Sequence, residues 1–414
     1  MIVNHIYSAC VVIETRDVRI CCDPWFSQGI YLGAWYQFPV VENPIERIGP
    51  VDYVAISHLH LDHYDPPFLA ELLKANPSCE ILIGAGNQRF LTELMKRDGF
   101  RARAAREFTE GSTHVAIIPN DESAEFSIDS AIVVKDPDNV VVNLNDCTFD
   151  SSQVSEILRF AGGSPDLACL PYVGAGPYPQ AYIFKDEDQR LLATASKRRH
   201  FLDLFGQYLD ALEPRWAIPF AGSYFLGGRL RCLNALRGVP DAVDVREHYG
   251  SRVVVLTEGE GSIDLVSGAI QGLRTNRYDQ TEIDDSLRKY DSVLYPYERD
   301  APVGEADLVR KLSQAHSRAL QRVKNPPEIS LCFKCPDTKY LVINKSTPGQ
   351  VVVAESVADI GPREMFFLDS RLLNGLLTRK YHWQSAEAGS HFSFCRESSE
   401  FDARVYNFLY FLHV

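Results

Sequence analysis

The sequence predicts an α/β protein in which two β-sheets are packed between layers of helices. Segments rich in β-branched residues alternate with segments of helical periodicity through residues 1–273. Several strands are expected in hairpins: residues 10–14 and 18–22 are separated by a three-residue turn, and residues 131–135 and 140–144 by Asp-Pro-Asp-Asn. Because helices and antiparallel neighbours alternate in this way, we predict a helix–sheet–sheet–helix (αββα) sandwich.

Individual segments carry clear signals for helices and strands. Residues 51–57 are an uninterrupted apolar run, which predicts a buried strand. Asp65 is followed by two prolines, and because proline is favoured in the first turn of a helix, Asp65 is predicted to cap a helix that extends to about residue 75. Helical periodicity over residues 191–212 predicts a second long helix, and residues 252–257 are expected to be a strand.

The chain is long enough for more than one domain. At 414 residues it exceeds the usual size of a single domain, and its 45% hydrophobic and 23% charged residues are typical of a globular protein. We expect residues 1–273 to form a catalytic domain, residues 274–301 a polar linker, and residues 302–414 a C-terminal αβ domain. Because the segment 383–392 is too apolar to stand alone in water, this C-terminal domain is expected to pack on the catalytic domain and help wall its pocket.

Charge and cysteine content exclude several classes of protein. The formal net charge is −13 and the pI about 5.4, which excludes nucleic acid as a partner because a phosphate backbone requires a basic face. No apolar run approaches the ~18 residues of a membrane-spanning helix. The N-terminal residues lack the features of a secretion signal, and ten cysteines without such a signal indicate a reducing compartment, so the protein is expected in the cytoplasm.

The most specific signal is a cluster of metal-binding residue types directly after the predicted strand at 51–57. The cluster consists of His58, His60, Asp62 and His63. Each of these side chains would need a buried polar partner if it were an ordinary core residue, which makes that role unfavourable. Imidazole and carboxylate ligands suit iron, zinc and manganese. The spacing predicts that the first two histidines bind one metal ion and that the aspartate and the third histidine bind a second ion nearby.

Together with two other segments, this cluster resembles the metallo-β-lactamase superfamily. The upstream segment is Asp23-Pro24-Trp25, and the downstream one is Asp146, which follows the predicted strand at 140–144. The resemblance implies an αββα fold that holds two metal ions, and it implies that Asp146 bridges them. Without the resemblance, a single aspartate at a strand end would be interpreted as a turn or cap residue.

The sequence departs from the superfamily at a ligand of the first metal. The superfamily supplies a third histidine upstream of the bridging aspartate, but residues 121–129 contain none. Glu125, which lies 21 residues before Asp146, is predicted to take that place, with Glu122 and Asp129 as rivals. A solvated surface glutamate is the alternative interpretation. Two histidines and one carboxylate are typical of non-haem iron sites that activate oxygen.

A second departure lies in the loop at residues 219–224, where the superfamily supplies its last histidine ligand. This loop contains no histidine, so a standard hydrolytic two-zinc site is not expected. The loop does contain Tyr224, and Tyr178 lies in a glycine-rich segment after another predicted strand. By their position relative to the metal loops, both tyrosines are expected to contact the substrate; the alternative is that they are core or rim aromatics.

Several further segments resemble the cytidine monophosphate N-acetylneuraminate hydroxylase family. They run in the same order through nearly the whole chain, and they are residues 31–38, 143–147, 172–179, 219–222 and 389–392. The resemblance implies oxidation of the N-acetyl group of a nucleotide-linked sugar, with electrons arriving through a Rieske iron–sulfur domain. A Rieske centre needs paired cysteine and histidine ligands, but no Cys-x-His or Cys-x-x-His occurs here. We therefore expect electrons, where they are needed, to come from a separate electron-transfer protein.

The sequence thus predicts a dinuclear metalloenzyme and leaves more than one function open. The carboxylate predicted at Glu125 and the hydroxylase resemblance favour a non-haem diiron oxygenase acting on a nucleotide-linked or other activated small molecule. The alternative is a zinc- or manganese-dependent hydrolase of a phosphoester or amide, in which a metal-bound water is the nucleophile. A purely structural metal site is a third hypothesis, although such sites are normally closed by protein ligands. Two divalent metal ions are expected, with iron favoured over zinc or manganese, and no catalytic residue beyond the metal ligands is assigned.

Overall fold

The computed structural model describes residues 1–86, 89–120, 129–397 and 401–414. Within these ranges the chain forms two large sheets with helices on their outer sides, and a further sheet in its C-terminal part. This arrangement confirms the predicted α/β class, an αββα sandwich with an additional C-terminal αβ region.

The strands and helices of the described residues have the following bounds. The strands are β1 (Ile2–Tyr7), β2 (Cys10–Glu14), β3 (Arg19–Cys22), β4 (Trp35–Tyr36), β5 (Tyr53–Ala55), β6 (Glu80–Gly84), β7 (Ala102–Ala105), β8 (Glu107–Glu110), β9 (Thr113–Pro119), β10 (Ser130–Lys135), β11 (Val140–Asn143), β12 (Leu167–Pro171), β13 (Trp216–Phe220), β14 (Phe225–Leu226), β15 (Gly261–Asp264), β16 (Ile270–Gln271), β17 (Ser330–Lys334), β18 (Tyr340–Ile343), β19 (Val352–Ala354), β20 (Arg363–Phe367) and β21 (Ser393–Arg396). The helices are α1 (Ile30–Gly33), α2 (Pro44–Ile48), α3 (Pro66–Ala75), α4 (Arg89–Arg97), α5 (Ser151–Ala161), α6 (Glu187–Leu212), α7 (Ala242–Tyr249), α8 (Gln280–Arg288), α9 (Glu305–Arg322), α10 (Ser370–Leu377), α11 (Trp383–Ala388) and α12 (Ala403–Phe411), with 3-10 helices at Gly228–Leu236 and Pro296–Arg299.

The two sheets of the sandwich have eight and six strands. The first has the order β16-β15-β1-β2-β3-β5-β6-β7, and the second has the order β13-β12-β11-β10-β9-β8. Both predicted hairpins are present, because β2 pairs with β3 and β10 pairs with β11, each in antiparallel register. The remaining sheets are a two-stranded one, β14-β4, and the C-terminal sheet β19-β18-β17-β20-β21.

Alternation along the strands divides their apolar residues between the inside and the outside of the sandwich. In β5, Tyr53 and Ala55 belong to the core between the two sheets, whereas Val54 shares a second core with Leu69 and Leu72 of α3. On the other sheet, α5 packs on β10 and β11, and α6 packs on β12. Each sheet is therefore covered on both faces, which is why its central strands are apolar at nearly every position.

Parallel pairing brings the predicted metal ligands to one edge of the sandwich. β3 and β5 are parallel neighbours, so Asp23, which follows β3, lies beside the loop that begins after β5 and contains His58. Asp146 follows β11, which is parallel to β12 in the facing sheet. Because the carboxyl ends of parallel strands lie on the same side of a sheet, these loops meet.

The helix predicted after Asp65 is present as α3. The Asp65 carboxylate accepts a hydrogen bond from the backbone N–H of Phe68, as an N-cap residue does. The same buried carboxylate also accepts from the backbone N–H groups of Phe26 and Ser27, at 2.9 and 2.7 Å, and from the Ser27 hydroxyl at 2.7 Å. Asp65 thus joins the first turn of α3 to the loop that follows Asp23.

The strand predicted at residues 252–257 is not formed, and that prediction was wrong. The segment is buried and makes isolated bridges only, between Ala217 and Val253 and between Leu256 and Leu273. Its backbone leaves the edge of β13 after two hydrogen bonds and turns at Thr257, whose carbonyl accepts from Gly261. A buried apolar run therefore had the composition of a strand without a continuous partner to pair with.

Residues 274–301, predicted as a linker, contain ordered and partly buried structure. Ile283 and Leu287 of α8 are buried in a cluster with Tyr36 of the sandwich. Tyr295 and Tyr297, at the following 3-10 helix, are buried in the C-terminal core. The segment therefore packs against both parts of the chain, and the domain boundaries at 273 and 302 stay a prediction.

The C-terminal region is built from its own sheet and helices and packs against the sandwich. Helices α9, α10 and α12 share a core with β17 and β20. Backbone hydrogen bonds join this region to the earlier part of the chain, since Phe394 donates to the carbonyl of Ala181 and Ile183 donates to that of Phe394, at 3.1 and 2.8 Å. Among the described residues, every helix is too short or too polar to cross a lipid bilayer.

The substitution Asp65→Ala should destabilise the fold by about 3 kcal/mol, because it removes a helix cap and leaves two backbone N–H groups without their acceptor. Asp150→Ala is the matched control, since Asp150 caps α5 at the surface without joining another loop, and it should cost only about 1 kcal/mol. The midpoint of urea unfolding measures both effects. Equal losses in the two variants would show that the loop contacts of Asp65 contribute nothing.

Candidate metal centre

The histidine cluster forms a tight loop directly after β5. The backbone N–H groups of His63 and Tyr64 both donate to the carbonyl of His60, at 3.0 and 2.7 Å, so the loop turns back on itself. His58 and His63 are almost completely buried, and Asp62 is 7% exposed. The turn therefore gathers all four polar side chains of the cluster in one place.

His58 and His60 present donor nitrogens to a common point. Nε2 of His58 and Nδ1 of His60 are 2.8 Å apart. Two nitrogens bound to one ion at about 2.0–2.1 Å each, with an angle near 90°, are separated by about 3 Å. The pair can share an N–H···N hydrogen bond, and its geometry also fits a shared metal ion.

Asp62 and His63 form the second pair, and Asp146 lies between the two pairs. Nε2 of His63 is 3.6 Å from Oδ2 of Asp62 and 3.4 Å from Oδ1 of Asp146. The same Oδ1 of Asp146 is 3.7 Å from Nε2 of His58. One carboxylate oxygen is thus nearly equidistant from a donor of each pair, as a ligand bridging two ions would be.

Burial and charge at His63 fit a cation. Its Nε2 is buried and has no hydrogen-bond partner among the described residues. Burial lowers the pKa of His63, but the carboxylates of Asp146, Asp62 and Asp23 outweigh it and raise the pKa well above its usual range. Burial likewise raises the pKa of Asp146, yet His63 and His58 lower it far below the usual range. Three carboxylates around one imidazole concentrate negative charge, and divalent metal ions would neutralise it.

Asp23 and Ser57 hold the histidines from behind. Asp23 accepts hydrogen bonds from the backbone N–H and the hydroxyl of Ser57, at 2.7 and 2.6 Å, and its Oδ2 is 2.9 Å from Nδ1 of His63. The Ser57 hydroxyl is also 2.8 Å from Nδ1 of His58. With Nδ1 of both rings engaged in this way, Nε2 of each ring is directed to the metal side.

A tyrosine and a glutamine contact the other two side chains of the cluster, Asp62 and His60. The Tyr31 hydroxyl donates to Oδ1 of Asp62 at 2.6 Å, which leaves Oδ2 free to face His63. Gln384, in α11 of the C-terminal region, lies 2.6 Å from Nε2 of His60 through its amide. If Nδ1 of His60 binds a metal, Nε2 carries the proton and donates it to the amide oxygen of Gln384.

Asp129 is brought close to the first histidine of the cluster. One donor atom each from His58, Asp129 and Cys147 lie within 4.8 Å of one another. Burial, followed by the charge of Asp129, raises the pKa of Cys147 well above its usual range, so the thiol stays neutral. Glu125 and Glu122, the other carboxylates predicted for this position, lie outside the described residues. Among the carboxylates considered for the third ligand of the first metal, Asp129 is therefore the one that the described residues place near His58.

The two tyrosines predicted to contact the substrate have different surroundings. Tyr224 is 3% exposed and stacks on Trp35, with ring centroids 3.5 Å apart. Burial raises the pKa of Tyr224, and the charge of Asp62 adds to the increase. Tyr178 is 41% exposed and packs in a surface aromatic cluster with Tyr182. Substrate binding by either tyrosine stays a prediction.

Several residues of the site were not singled out from the sequence. Tyr31 was named only as the start of the segment 31–38. Gln384 carries no local signal, because a single glutamine is common in any pocket, and it reaches the site only through the folded chain. Asp129 was named only as a rival, and Cys147 only as part of a motif. Ser57 directly precedes His58, so its place in the cluster could have suggested its supporting role.

A comparison with known families agrees with this geometry. Residues 3–157 match the family model for the beta-lactamase superfamily domain. The chain carries a metallo-β-lactamase superfamily domain. The match includes the histidine cluster and Asp146 and ends within α5. The protein is therefore a metal-binding protein of the metallo-β-lactamase fold.

Two groups of curated relatives share this part of the chain. A protein of Mycolicibacterium smegmatis, named for a Rieske 2Fe-2S iron–sulfur centre, is 31% identical over 252 residues, which are 58% of this chain and 47% of that protein. The mouse cytidine monophosphate-N-acetylneuraminic acid hydroxylase is 25% identical over 250 residues, which are 54% of this chain and 39% of the hydroxylase. The match thus spans about half or less of the length of these relatives.

Solved structures resemble the chain only in fold. The isothiocyanate hydrolase from Delia radicum gut bacteria is 14% identical, with a TM-score of 0.43, and the match covers 64% of this chain and 98% of the hydrolase. A likeness at this level does not indicate a function.

The contact between Gln384 and His60 generates a test of the C-terminal region. Gln384→Ala should weaken metal binding about tenfold, because His60 loses the partner that fixes its ring orientation. Gln384→Glu keeps an acceptor at Nε2 of His60 and should retain most of the affinity. Competition with a chromophoric chelator measures the change. Equal affinities in the alanine variant and the unmodified protein would contradict the supporting role.

Proposed function

We propose that this protein is a dinuclear non-haem iron oxygenase that hydroxylates a small molecule. The observation that carries the proposal is the donor arrangement: His58 with His60, Asp62 with His63, and an Asp146 oxygen 3.7 and 3.4 Å from one nitrogen of each pair. This set supports two metal ions that share the carboxylate of Asp146.

Asp129 supports iron rather than zinc at the first position. With His58 and His60 it would give that ion two imidazoles and one carboxylate, the facial set associated with non-haem iron oxygenases. A carboxylate in place of a third imidazole also adds negative charge, which favours a harder ion. The chain has eleven histidines, and the one that comes last before Asp146 in the sequence is His114 of β9. Its Nε2 lies 3.4 Å from the carboxylate of Glu107 of β8. A third histidine ligand is therefore not proposed.

The chain's own residues would shape and support this centre. Iron bound here would supply the activation of dioxygen. Asp23 and Ser57 hold the histidine rings, and Tyr31 holds Asp62, so the ligands are oriented before substrate arrives. Gln384 reaches His60 from the C-terminal region. We further propose that residues 302–414 are a second domain that completes the wall of the site.

Hydroxylation with dioxygen requires two electrons and two protons in addition to the substrate, because one oxygen atom leaves as water. The sequence has no Cys-x-His or Cys-x-x-His pair to bind a Rieske cluster. A separate electron-transfer protein is therefore part of the proposal. The relatives named for a Rieske centre match less than half of their own length, which is compatible with that centre lying outside the matched segment.

The name of the mouse relative supports a hydroxylase acting on a nucleotide-linked or other activated small molecule. The alternative is a zinc or manganese hydrolase of a phosphoester or amide. His58, His60, Asp62, His63 and Asp146 would serve hydrolysis equally well, because two metals that share a ligand can activate a water between them. The carboxylate near His58 is the feature that favours the oxygenase.

Metal analysis of the full chain tests the choice between these functions. Protein purified from iron-replete cells should contain about two iron ions per chain, in a dinuclear site, and little zinc. Elemental analysis with an optical and Mössbauer spectrum measures both. His63→Ala and Asp146→Ala should lose most of the metal. Two tightly held zinc ions after growth with iron and zinc at equal concentration would instead favour the hydrolase.

Substitution of the two rival carboxylates tests the first metal's third ligand. Asp129→Ala should lose about one iron ion per chain, since two imidazoles alone hold the first metal weakly. Glu125→Ala is the matched comparison, and on this proposal it keeps its iron. The reverse result, with iron lost in Glu125→Ala and kept in Asp129→Ala, would restore the ligand predicted from spacing.

A further inference from the structure

A buried arginine without a carboxylate partner lies beside the stacked rings of Trp35 and Tyr224. Arg237 is 5% exposed, and the described residues contain no ion pair to its guanidinium. Its Nη1 donates to the carbonyl of Tyr224 at 2.5 Å, while its Nε has no hydrogen-bond partner among the described residues. A buried charge without a counter-ion is costly, so an arginine in this state is suited to receive an anion.

The arginine is connected to the metal centre by a short stack of rings. The guanidinium lies 4.4 Å from the ring centroid of Tyr224, which stacks on Trp35. Trp35 in turn packs edge-on against Tyr31, the hydrogen-bond partner of Asp62. The buried Tyr224 hydroxyl also lies close to this guanidinium, whose charge opposes the increase in the pKa of Tyr224 that burial causes. A ligand group held at Arg237 is therefore separated from a metal ligand by these three rings only.

A second cation lies close to Arg237. Gly238 sits so near α6 that a Cβ there would be 3.1 Å from the Cβ of Lys197. The Lys197 ammonium donates to the carbonyls of Gly176 and Tyr178, at 3.2 and 2.8 Å. Burial and the charge of Arg237 lower the pKa of Lys197 to about 7. The charges of Arg237 and Lys197 are thus close enough for the guanidinium to disfavour the protonated form of the lysine.

The loop that accepts hydrogen bonds from Lys197 is open to solvent. Gly176 is exposed, and a Cβ placed on it would meet no atom within 4 Å. The carbonyl of Gly176 accepts from Lys197 and also from Gln180, whose amide nitrogen is 3.3 Å from the Ser390 hydroxyl. The oxygen of the Gln180 side chain is buried without a partner among the described residues. Ser390 lies two residues after Ala388, whose carbonyl accepts a hydrogen bond from the Trp35 indole. The loop at Gly176 is therefore linked to Trp35 through the C-terminal region.

We infer that Arg237, Lys197 and the Tyr224 hydroxyl form an oxyanion-binding subsite for the substrate's phosphate or carboxylate group. The inference rests on the proposed function and narrows its substrate to an anionic small molecule. Nε of Arg237 lies on the guanidinium edge that binds carboxylate or phosphate through two parallel hydrogen bonds. The subsite is positive, whereas the metal ligands are carboxylate-rich, so an anionic group is directed to Arg237 and the reacting part of the substrate to the metals.

The test is anion binding by the full chain in two forms, the metal-loaded protein and the double variant His58→Ala/His63→Ala. The double variant removes binding of the probe to the metals. Isothermal titration with inorganic phosphate and with acetate, at constant ionic strength, is expected to show binding of at least one of them in both forms. The tighter of the two identifies a phosphate or a carboxylate as the group recognised.

Arg237→Gln should weaken the tighter anion about tenfold or more in either form. Arg199→Gln is the matched control, because Arg199 lies on the same helix as Lys197 but is 70% exposed and paired with Asp203; it should change the affinity less than about twofold. Equal affinities of Arg237→Gln and the parent protein, equal losses in both variants, or no binding of either anion to the double variant would overturn the inference.

Tyr224→Phe keeps the ring that stacks on Trp35 and removes only the hydroxyl. It is the second test of the subsite if Arg237→Gln does not fold. It should weaken the same anion about threefold or more, and unchanged affinity would overturn the inference. Metal analysis of Arg237→Gln separates the two proposals. Its metal content should equal that of the parent, and a parent protein that binds the anions but no metal would contradict the proposed function alone.

Discussion

The carboxylate of Asp23 is the interaction on which the centre depends. It is 1% exposed, and it accepts hydrogen bonds from the backbone and hydroxyl of Ser57 while contacting Nδ1 of His63. Asp23 itself has a φ of 42°, a left-handed backbone conformation that a non-glycine residue adopts only where the surroundings enforce it. The parallel pairing of β3 and β5 provides that enforcement, because it sets the two loops side by side.

This arrangement explains how a cluster of carboxylates can be buried at the edge of two apolar sheets. The charges of Asp146, Asp62 and Asp23 all raise the pKa of His63. Each of these carboxylates contacts a neutral hydrogen-bond donor or an imidazole. The apolar core between the sheets begins directly below, with Ala55 and Ile132. In such surroundings the charges are poorly screened, so the ligand set retains a strong attraction for cations.

The C-terminal region takes part in the site from the opposite side. Gln384 reaches His60, His391 lies 2.9 Å from the carbonyl of Tyr31, and the Trp35 indole donates to Ala388. Burial lowers the pKa of His391 to about 4, so this contact is made by a neutral imidazole. Residues more than three hundred positions apart in sequence therefore share one wall, and the orientation of the candidate metal ligands is coupled to the docking of the C-terminal sheet.

Residue types and spacing alone determined the class of fold and the position of the metal cluster. Turn residues between β-rich runs specified the hairpins, Asp65 followed by two prolines specified α3, and four metal-binding side chains within six residues could only lie on one loop. The same reasoning failed at residues 252–257, since apolar composition does not reveal whether a partner strand is available. Spacing along the chain favoured Glu125 over Asp129, and that choice stays a prediction because Glu125 lies outside the described residues.

Only the tertiary structure decided which distant residues complete the site. Tyr31, Gln384 and Arg237 are ordinary residues in sequence, and each acquires its proposed role from what the fold places beside it. Arg237 is informative because its buried guanidinium lacks a counter-ion among the described residues, a property that no local pattern encodes. Sequence thus specified the candidate ligands that are close along the chain, and the packing of the sheets, helices and C-terminal region specified the side chains that approach them only in space.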